Sequence, residues 1–237
     1  KVSEAGRDIS CAIKKYHFNE ASDILYHFTW HTFCDWYVEC VKPVLIDKKN
    51  PNLKETQSTI SWVLNQILII AHPLIPFVTE ELWMSLGSTK KNMLINEKWP
   101  NFSQLIIDGA DKEMDWVIEL VSKIRSIRSE INISPKNELK IEVNFPNQKS
   151  DFFIYLQKNE SLVKRLGKIK EINIVTNENH ESGSTGNQKQ VSKSIIFLVK
   201  GVTFVVKLDG IIDLEKEKKR LIKEADKLKK DIILFTK

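Results

Sequence analysis

The fold is decided first by residues 20–41, which read EASDILYHFTWHTFCDWYVECV. Apolar and aromatic side chains recur along this stretch three and four residues apart, the spacing that places them on one side of a helix. The positions in this pattern are Ala21, Ile24, Leu25, Phe28, Thr32, Phe33, Trp36, Tyr37, Cys40 and Val41. We therefore predict a helix from Glu20 to Val41, with Asn19 capping its first turn.

The segments on either side repeat this helical periodicity. Further helices are predicted at about Ser3–Tyr16, Leu53–Ala71, Phe77–Leu86 and Asp111–Ile131. Prolines mark the boundaries, because Pro43 and Pro51 bracket a charged loop and Pro135 follows the last helix. Helices of this length joined by short loops form antiparallel bundles, so residues 1–135 are predicted to be a helical bundle.

After Pro135 the apolar residues begin to alternate with polar ones. Leu139, Ile141, Val143 and Phe145 are separated by single polar residues, which predicts a half-buried strand. The pattern continues with a helix at Asp151–Arg165, a strand at Ile169–Val175, a polar loop at 177–192 and a hairpin of Ile195–Val199 and Val202–Leu208. Residues 136–209 are thus predicted to form a small α+β module.

A heptad pattern occupies the end of the chain. Its seam consists of Ile211, Leu214, Lys218, Leu221, Ala225, Leu228, Ile232 and Phe235, spaced alternately three and four residues apart. Residues 210–237 are therefore predicted to be the first helix of a coiled coil that is cut short. The predicted fold class is mainly α: a bundle, a small α+β module and a truncated coiled-coil arm.

The net charge of +5 is unevenly distributed over the 237 residues. Residues 1–135 carry a net charge of −2 and residues 136–237 a net charge of +7, so a polyanionic partner is expected first at the C-terminal part. The composition excludes collagen-like, disordered and disulfide-scaffold proteins. No apolar run is long enough to cross a membrane, and three cysteines without a pairing pattern are typical of reduced thiols in the cytoplasm.

Few residues fit catalytic or metal chemistry. His27, His31, Cys34 and Asp35 share one side of the predicted helix, but neither a zincin motif nor a distant Cys/His pair completes a metal site. Residues 183–186, GSTG, lack the Lys-Ser/Thr of a phosphate-binding loop, and no nucleophile motif occurs. We therefore predict no catalytic residue and no bound metal.

The aromatic residues of positions 26–37 have two interpretations. They could offer stacking faces to unpaired bases, or they could fill the core of the bundle. The pattern favours the core for most of them, and it leaves some of them exposed because they span more than one face.

Several motifs bear a family resemblance. Residues 33–37, FCDWY, with Glu39 and Lys42-Pro43, and residues 72–83, HPLIPFVTEELW, closely resemble the anticodon-binding bundle of valyl-tRNA synthetases. So do residues 99–100 (WP), 124–130 (IRSIRSE) with 133–135 (ISP), and 210–215 (GIIDLE), which resembles the start of that family's C-terminal arm. The HP…PF…TEE block is shared, in variants, with isoleucyl- and leucyl-tRNA synthetases.

The resemblance implies the tRNA-holding part of a class I ligase that joins valine to tRNA(Val) with ATP and Mg²⁺. The bundle would receive the anticodon stem and loop, and the arm would lean on the tRNA elbow. We expect an excised, catalytically inactive, monomeric and cytoplasmic fragment that starts after the family's first bundle helix, with self-association possible through the cut arm. The candidate tRNA-binding residues are Trp36, Lys42, Arg125, Arg128, Lys219, Arg220, Lys223 and Lys227.

Two alternatives stay open at this point. The chain could be a protein-interaction bundle whose heptad helix dimerises. It could also be the equivalent part of an isoleucyl- or leucyl-tRNA synthetase.

Overall fold

The computed structural model describes residues 1–86, 92–102, 109, 111–147, 150–175, 194–208 and 222. The chain divides into two compact units, Lys1–Asp111 and Lys112–Lys237. The sequence pattern predicts the boundary between bundle and α+β module after residue 135. The two boundaries differ in whether the helix that follows Asp111 belongs to the first or the second part. None of the described helices is both long enough and apolar enough to span a bilayer.

The first unit is helical. Its elements are α1 (Val2–Lys14), α2 (Phe18–Tyr26), a π-helix (His27–Val38), α3 (Glu39–Ile46), α4 (Leu53–Ala71), α5 (Pro76–Leu86) and a 3₁₀ turn (Leu94–Asn96). The bounds of α4 are those predicted from the sequence, and α1 and α5 differ from prediction by at most two residues. Residues 18–46 form one uninterrupted helical rod, made of α2, the π-helix and α3.

This rod differs from the prediction in three respects. Asn19 lies inside α2 and does not cap it; His17 holds the N-cap position, and its Nδ1 lies 3.2 Å from Glu20 Oε2. The middle of the rod is a π-helix, whose backbone hydrogen bonds span five residues and not four. Pro43 lies inside α3, so the helix continues to Ile46, beyond the predicted end at Val41.

The core of the first unit forms where α1, the rod and α4 meet. One cluster contains Ile9, Ala12, Ala21, Leu25, Ile70, Ala71 and Phe102, and a second contains Ala5, Phe28, Phe33 and Ile67. Each of these side chains is buried, and in the rod the buried positions fall on the predicted apolar face. Burial of this face against α1 and α4 therefore fixes which side of the rod meets solvent.

The motif HPLIPFVTEELW forms the corner between α4 and α5. The buried Thr79 hydroxyl donates to the Ile75 carbonyl at 2.9 Å, and His72 Nδ1 lies 2.9 Å from the Thr79 hydroxyl oxygen. One turn further, Glu80 Oε1 accepts the Leu94 amide at 2.9 Å and Trp83 Nε1 donates to the Asn92 carbonyl at 3.2 Å. The polar members of this motif thus hold a helix corner and the 92–96 loop.

Among its described residues, the second unit contains a four-stranded mixed sheet and two helices. Its elements are α6 (Lys112–Glu130), β1 (Leu139–Asn144), α7 (Asp151–Gly167), β2 (Ile169–Val175), β3 (Ser194–Val199) and β4 (Val202–Lys207). The strand order is β2-β1-β4-β3; β1 and β2 are parallel, and the other neighbours are antiparallel. All elements predicted for the α+β module are present, with ends within two residues of the predicted ones.

The helix α6 packs within this second unit, against α7 and β3. Its buried stripe consists of Trp116, Val117, Leu120, Val121, Ile124 and Ile127. A sequence pattern identifies such an apolar stripe but not the surface that covers it, so the pattern alone places α6 with the preceding helices of the bundle. The predicted loop at 177–192 and the arm at 210–237 lie outside the described residues, apart from Ile222.

Replacement of Gly6 tests the packing of the first unit. A Cβ atom at this buried position of α1 would lie 2.7 Å from Phe102 Cδ2, too close for van der Waals contact. Gly→Ala stabilises an ordinary helix interior by about 1 kcal/mol, whereas overpacking a core costs about 1–3 kcal/mol. We predict that Gly6→Ala lowers the free energy of unfolding, measured by urea denaturation.

The exposed Ser22 of α2 provides the control. Ser22→Ala, which changes a surface helix position, should leave stability within about 0.5 kcal/mol of the parent. A Gly6→Ala protein more stable than the parent would contradict this packing.

Candidate nucleic-acid interface

The helical rod presents an exposed aromatic surface at its α2–π junction. The side chains of Tyr26 and Trp30 are each 55% exposed. Their rings are parallel to within 4°, with centroids 6.5 Å apart. Together with His27 and His31, which are also exposed, they form what we call the aromatic face.

The imidazoles of this face are held in a ring cluster. The His27 and His31 rings lie 5.3 Å apart, and Tyr26 meets the His31 ring edge-on at 5.7 Å. His31 Nδ1 lies 3.1 Å from Asp35 Oδ2, one turn along the rod, so the carboxylate fixes the orientation of that ring. The aromatic face is therefore a pre-ordered surface of flat rings with imidazole hydrogen-bonding edges.

These side chains do not form a metal centre. Within the described ranges, no group of three or more His, Cys, Asp or Glu side chains is arranged to hold a metal ion. Partial desolvation, reinforced by the charge of Asp35, raises the pKa of the Cys34 thiol, whose side chain is otherwise exposed. The His27–His31–Asp35–Cys34 spacing thus belongs to the aromatic face.

The aromatic stretch separates into core and surface members. Phe28 and Phe33 are buried, and the Phe33 ring stacks on Tyr37 at a centroid distance of 5.8 Å. Trp36, the aromatic residue singled out from the sequence, is half-buried. Tyr26 and Trp30 are the members that sequence reasoning did not single out. The signal that identifies them is their spacing: they lie four residues apart, on a different side of the helix from the buried Phe28 and Phe33.

Lys42 lies further along the same rod. Its side chain is exposed and forms an ion pair with Glu39, three residues earlier in α3. An exposed pair of this kind contributes little to stability, so the ammonium can exchange Glu39 for another anion at small cost.

The two arginines of α6 are engaged with the backbone of the second unit. Arg128 is only 8% exposed; its Nη2 donates to the carbonyls of Ser134 and Asn137, each at 2.8 Å, and Nη1 lies 3.5 Å from the Lys168 carbonyl. Burial lowers the pKa of Arg128. Arg125 is exposed, and its Nε donates to the Leu166 carbonyl at 3.2 Å.

Both arginines therefore join α6 to the end of α7. Arg128 also holds the 134–137 turn before β1, so backbone carbonyls already accept hydrogen bonds from its guanidinium. Arg125 has an exposed side chain and donates to the Leu166 carbonyl. The arm candidates Lys219, Arg220, Lys223 and Lys227 lie outside the described residues.

Comparison with known proteins identifies related sequences. Residues 1–143 match the family described as the anticodon-binding domain of tRNA ligase. The chain is 33% identical over 235 residues to the valine–tRNA ligase of Zymomonas mobilis, covering 98% of the chain and 25% of that protein. It is 34% identical to the valine–tRNA ligase of Cereibacter sphaeroides and 31% identical to that of Pelagibacter ubique, in each case over 98% of the chain.

The chain spans about a quarter of the length of these curated relatives. The region that matches the family, residues 1–143, contains the whole first unit together with α6 and most of β1.

A pair of substitutions separates the structural arginine from the exposed one. Arg128→Gln should lower the free energy of unfolding by about 2 kcal/mol, because it removes the hydrogen bonds that a buried guanidinium donates to the Ser134 and Asn137 carbonyls. Arg125→Gln should cost less than about 1 kcal/mol, since that side chain is exposed. Urea denaturation followed by circular dichroism measures both, and equal losses would contradict the distinction.

Proposed function

Because the chain belongs to the family of anticodon-binding domains of tRNA ligases, we propose that it holds tRNA(Val) within a valine–tRNA ligase. The proposal is carried by one observation: within the family-matched region, the helical rod presents an ordered, exposed aromatic face. Unpaired RNA bases are recognised by stacking on such rings and by hydrogen bonds to their edges.

The aromatic face would receive bases of the anticodon loop. Tyr26 and Trp30 supply flat surfaces for stacking, and His27 and His31 supply donors and acceptors to base edges. Trp36, half-buried further along the rod, would contribute the exposed part of its indole. Stacking tolerates any base, so discrimination among anticodons would depend on the hydrogen-bonding edges of this face.

Phosphate contacts would come from cations on both units. Lys42 on the rod and Arg125 on α6 are exposed and can each meet a phosphate oxygen. For Arg128, whose guanidinium is occupied by backbone carbonyls, we propose a structural role. Lys219, Arg220, Lys223 and Lys227 would follow the RNA backbone without reading its sequence.

The arm would act at a distance from the anticodon. Residues 136–237 carry a net charge of +7, which would draw tRNA towards a first coiled-coil helix formed by residues 210–237 and leaning on the tRNA elbow. In this scheme the chain binds neither a metal ion nor ATP itself. The complete enzyme would use ATP and Mg²⁺ elsewhere to activate valine in the cytoplasm, and this chain would be monomeric.

The relatives favour valine over isoleucine or leucine. The similar proteins from Zymomonas mobilis, Cereibacter sphaeroides and Pelagibacter ubique are each named valine–tRNA ligase. We infer the same amino acid for the protein to which this chain belongs.

A salt series tests the binding function. We predict that the chain binds tRNA(Val) more tightly than an unrelated tRNA. The logarithm of the binding constant should fall linearly with the logarithm of salt concentration, with a slope of about one per phosphate contacted. Fluorescence anisotropy with labelled tRNA measures both quantities.

Absence of salt-dependent tRNA binding would contradict the proposal. If that absence came with concentration-dependent self-association in sedimentation experiments, the alternative of a dimerising interaction module would be supported.

Substitution on the aromatic face tests the stacking. We predict that Trp30→Leu weakens tRNA(Val) binding by about 1–3 kcal/mol, the contribution of one stacked base. Phe77→Leu is the matched control, since Phe77 on α5 is 91% exposed and lies outside the proposed face. Equal affinities for the two variants would contradict the assignment of this face.

A further inference from the structure

A second surface of the first unit combines cations with an exposed aromatic ring. A groove of about 550 Å³ runs between α1 and the segment 99–102. Its lining includes Gly6, Ser10 and Lys14 of α1, with Arg7 beside them, and Trp99 and Phe102 of the opposite segment. The α1 members recur four residues apart, so they form one stripe along that helix.

The wall of this groove is held rigidly. The Trp99 indole N–H donates to Ser10 Oγ at 2.8 Å, and Ser10 Oγ donates to the Gly6 carbonyl at 2.6 Å. Phe102 is buried against Gly6, where no side chain intervenes. The Trp99 ring therefore keeps a fixed orientation relative to α1.

The exposed part of Trp99 is suited to stacking. The side chain is 41% exposed, although its single donor is already satisfied by Ser10. An indole has no second polar atom, so the exposed surface can offer a partner only an aromatic face and an apolar edge.

The charge of the groove selects an anionic partner. Arg7 and Lys14 lie two helical turns apart on α1, about 10 Å along its axis. Among the described residues, no carboxylate lines the groove. Asp8 stands beside it and accepts a hydrogen bond from Arg7 Nε at 2.9 Å, which uses one of the five guanidinium donors.

We propose that this groove binds an unpaired nucleotide of the bound RNA, at a site separate from the aromatic face. The base stacks on Trp99, and flanking phosphates meet Lys14 and Arg7. A flat ring between two cations matches the alternation of bases and phosphates in a single strand. The inference rests on the proposed function, because it assumes that the chain binds tRNA.

Neighbouring lysines provide a matched pair of variants. Lys14 lines the groove, whereas Lys15 follows it in sequence, is exposed and does not line the groove. Lys14→Gln should weaken tRNA(Val) binding and reduce the salt slope by about one, as expected for the loss of one phosphate contact. Lys15→Gln removes the same charge and should leave the slope unchanged.

The ring is tested separately. Trp99→Leu should weaken binding about ten-fold, the effect of losing one stacked base, whereas Trp99→Phe, which keeps an aromatic plane, should retain most of the affinity. Circular dichroism establishes that each variant is folded before binding is measured.

The outcomes distinguish the two proposals. If the parent chain binds no tRNA, the proposed function fails. If the parent binds tRNA while Lys14→Gln matches Lys15→Gln and Trp99→Leu matches Trp99→Phe, the groove proposal alone is overturned.

Discussion

The structure of the first unit depends on the burial of one side of the helical rod formed by residues 18–46. Ala21, Leu25, Phe28 and Phe33 are buried in clusters that also contain side chains of α1 and α4. Because a helix cannot bury one row of side chains without turning the others outward, this packing directs Tyr26 and Trp30 to solvent. The candidate RNA-binding surface is thus a consequence of the core, and it is held as firmly as the core.

Several residues that identify the family maintain the architecture. His72, Thr79, Glu80 and Trp83 hold the corner between α4 and α5 and its following loop. Arg128, itself buried, ties α6 to the turn before β1 through hydrogen bonds to the Ser134 and Asn137 carbonyls. A family motif can therefore identify a domain through polar residues that maintain its architecture. Exposed aromatic rings and cations are a better guide to a candidate binding surface than the polar residues of the family motifs are.

The periodic elements could be predicted from the sequence, because their apolar spacing reports directly on which face is buried. The helix Leu53–Ala71, the strand Ile169–Val175 and the turn between β3 and β4 all follow from local pattern. Features decided by tertiary packing could not be predicted. An arginine such as Arg128 can bind phosphate, but in the folded chain its guanidinium donates its hydrogen bonds to backbone carbonyls. Likewise, the apolar stripe of α6 does not show that a sheet covers it.

The candidate site was predictable only in part for the same reason. The sequence indicates an aromatic-rich helix and singles out Trp36, whereas Trp30 is the more exposed of the two once the rod has packed. The most direct test is a photo-crosslinker on Cys34, an exposed thiol on this rod four residues after Trp30, with Cys11 and Cys40 replaced by serine. Crosslinks mapped by primer extension should fall in the anticodon loop of tRNA(Val). Crosslinks confined to other parts of the tRNA would contradict the account.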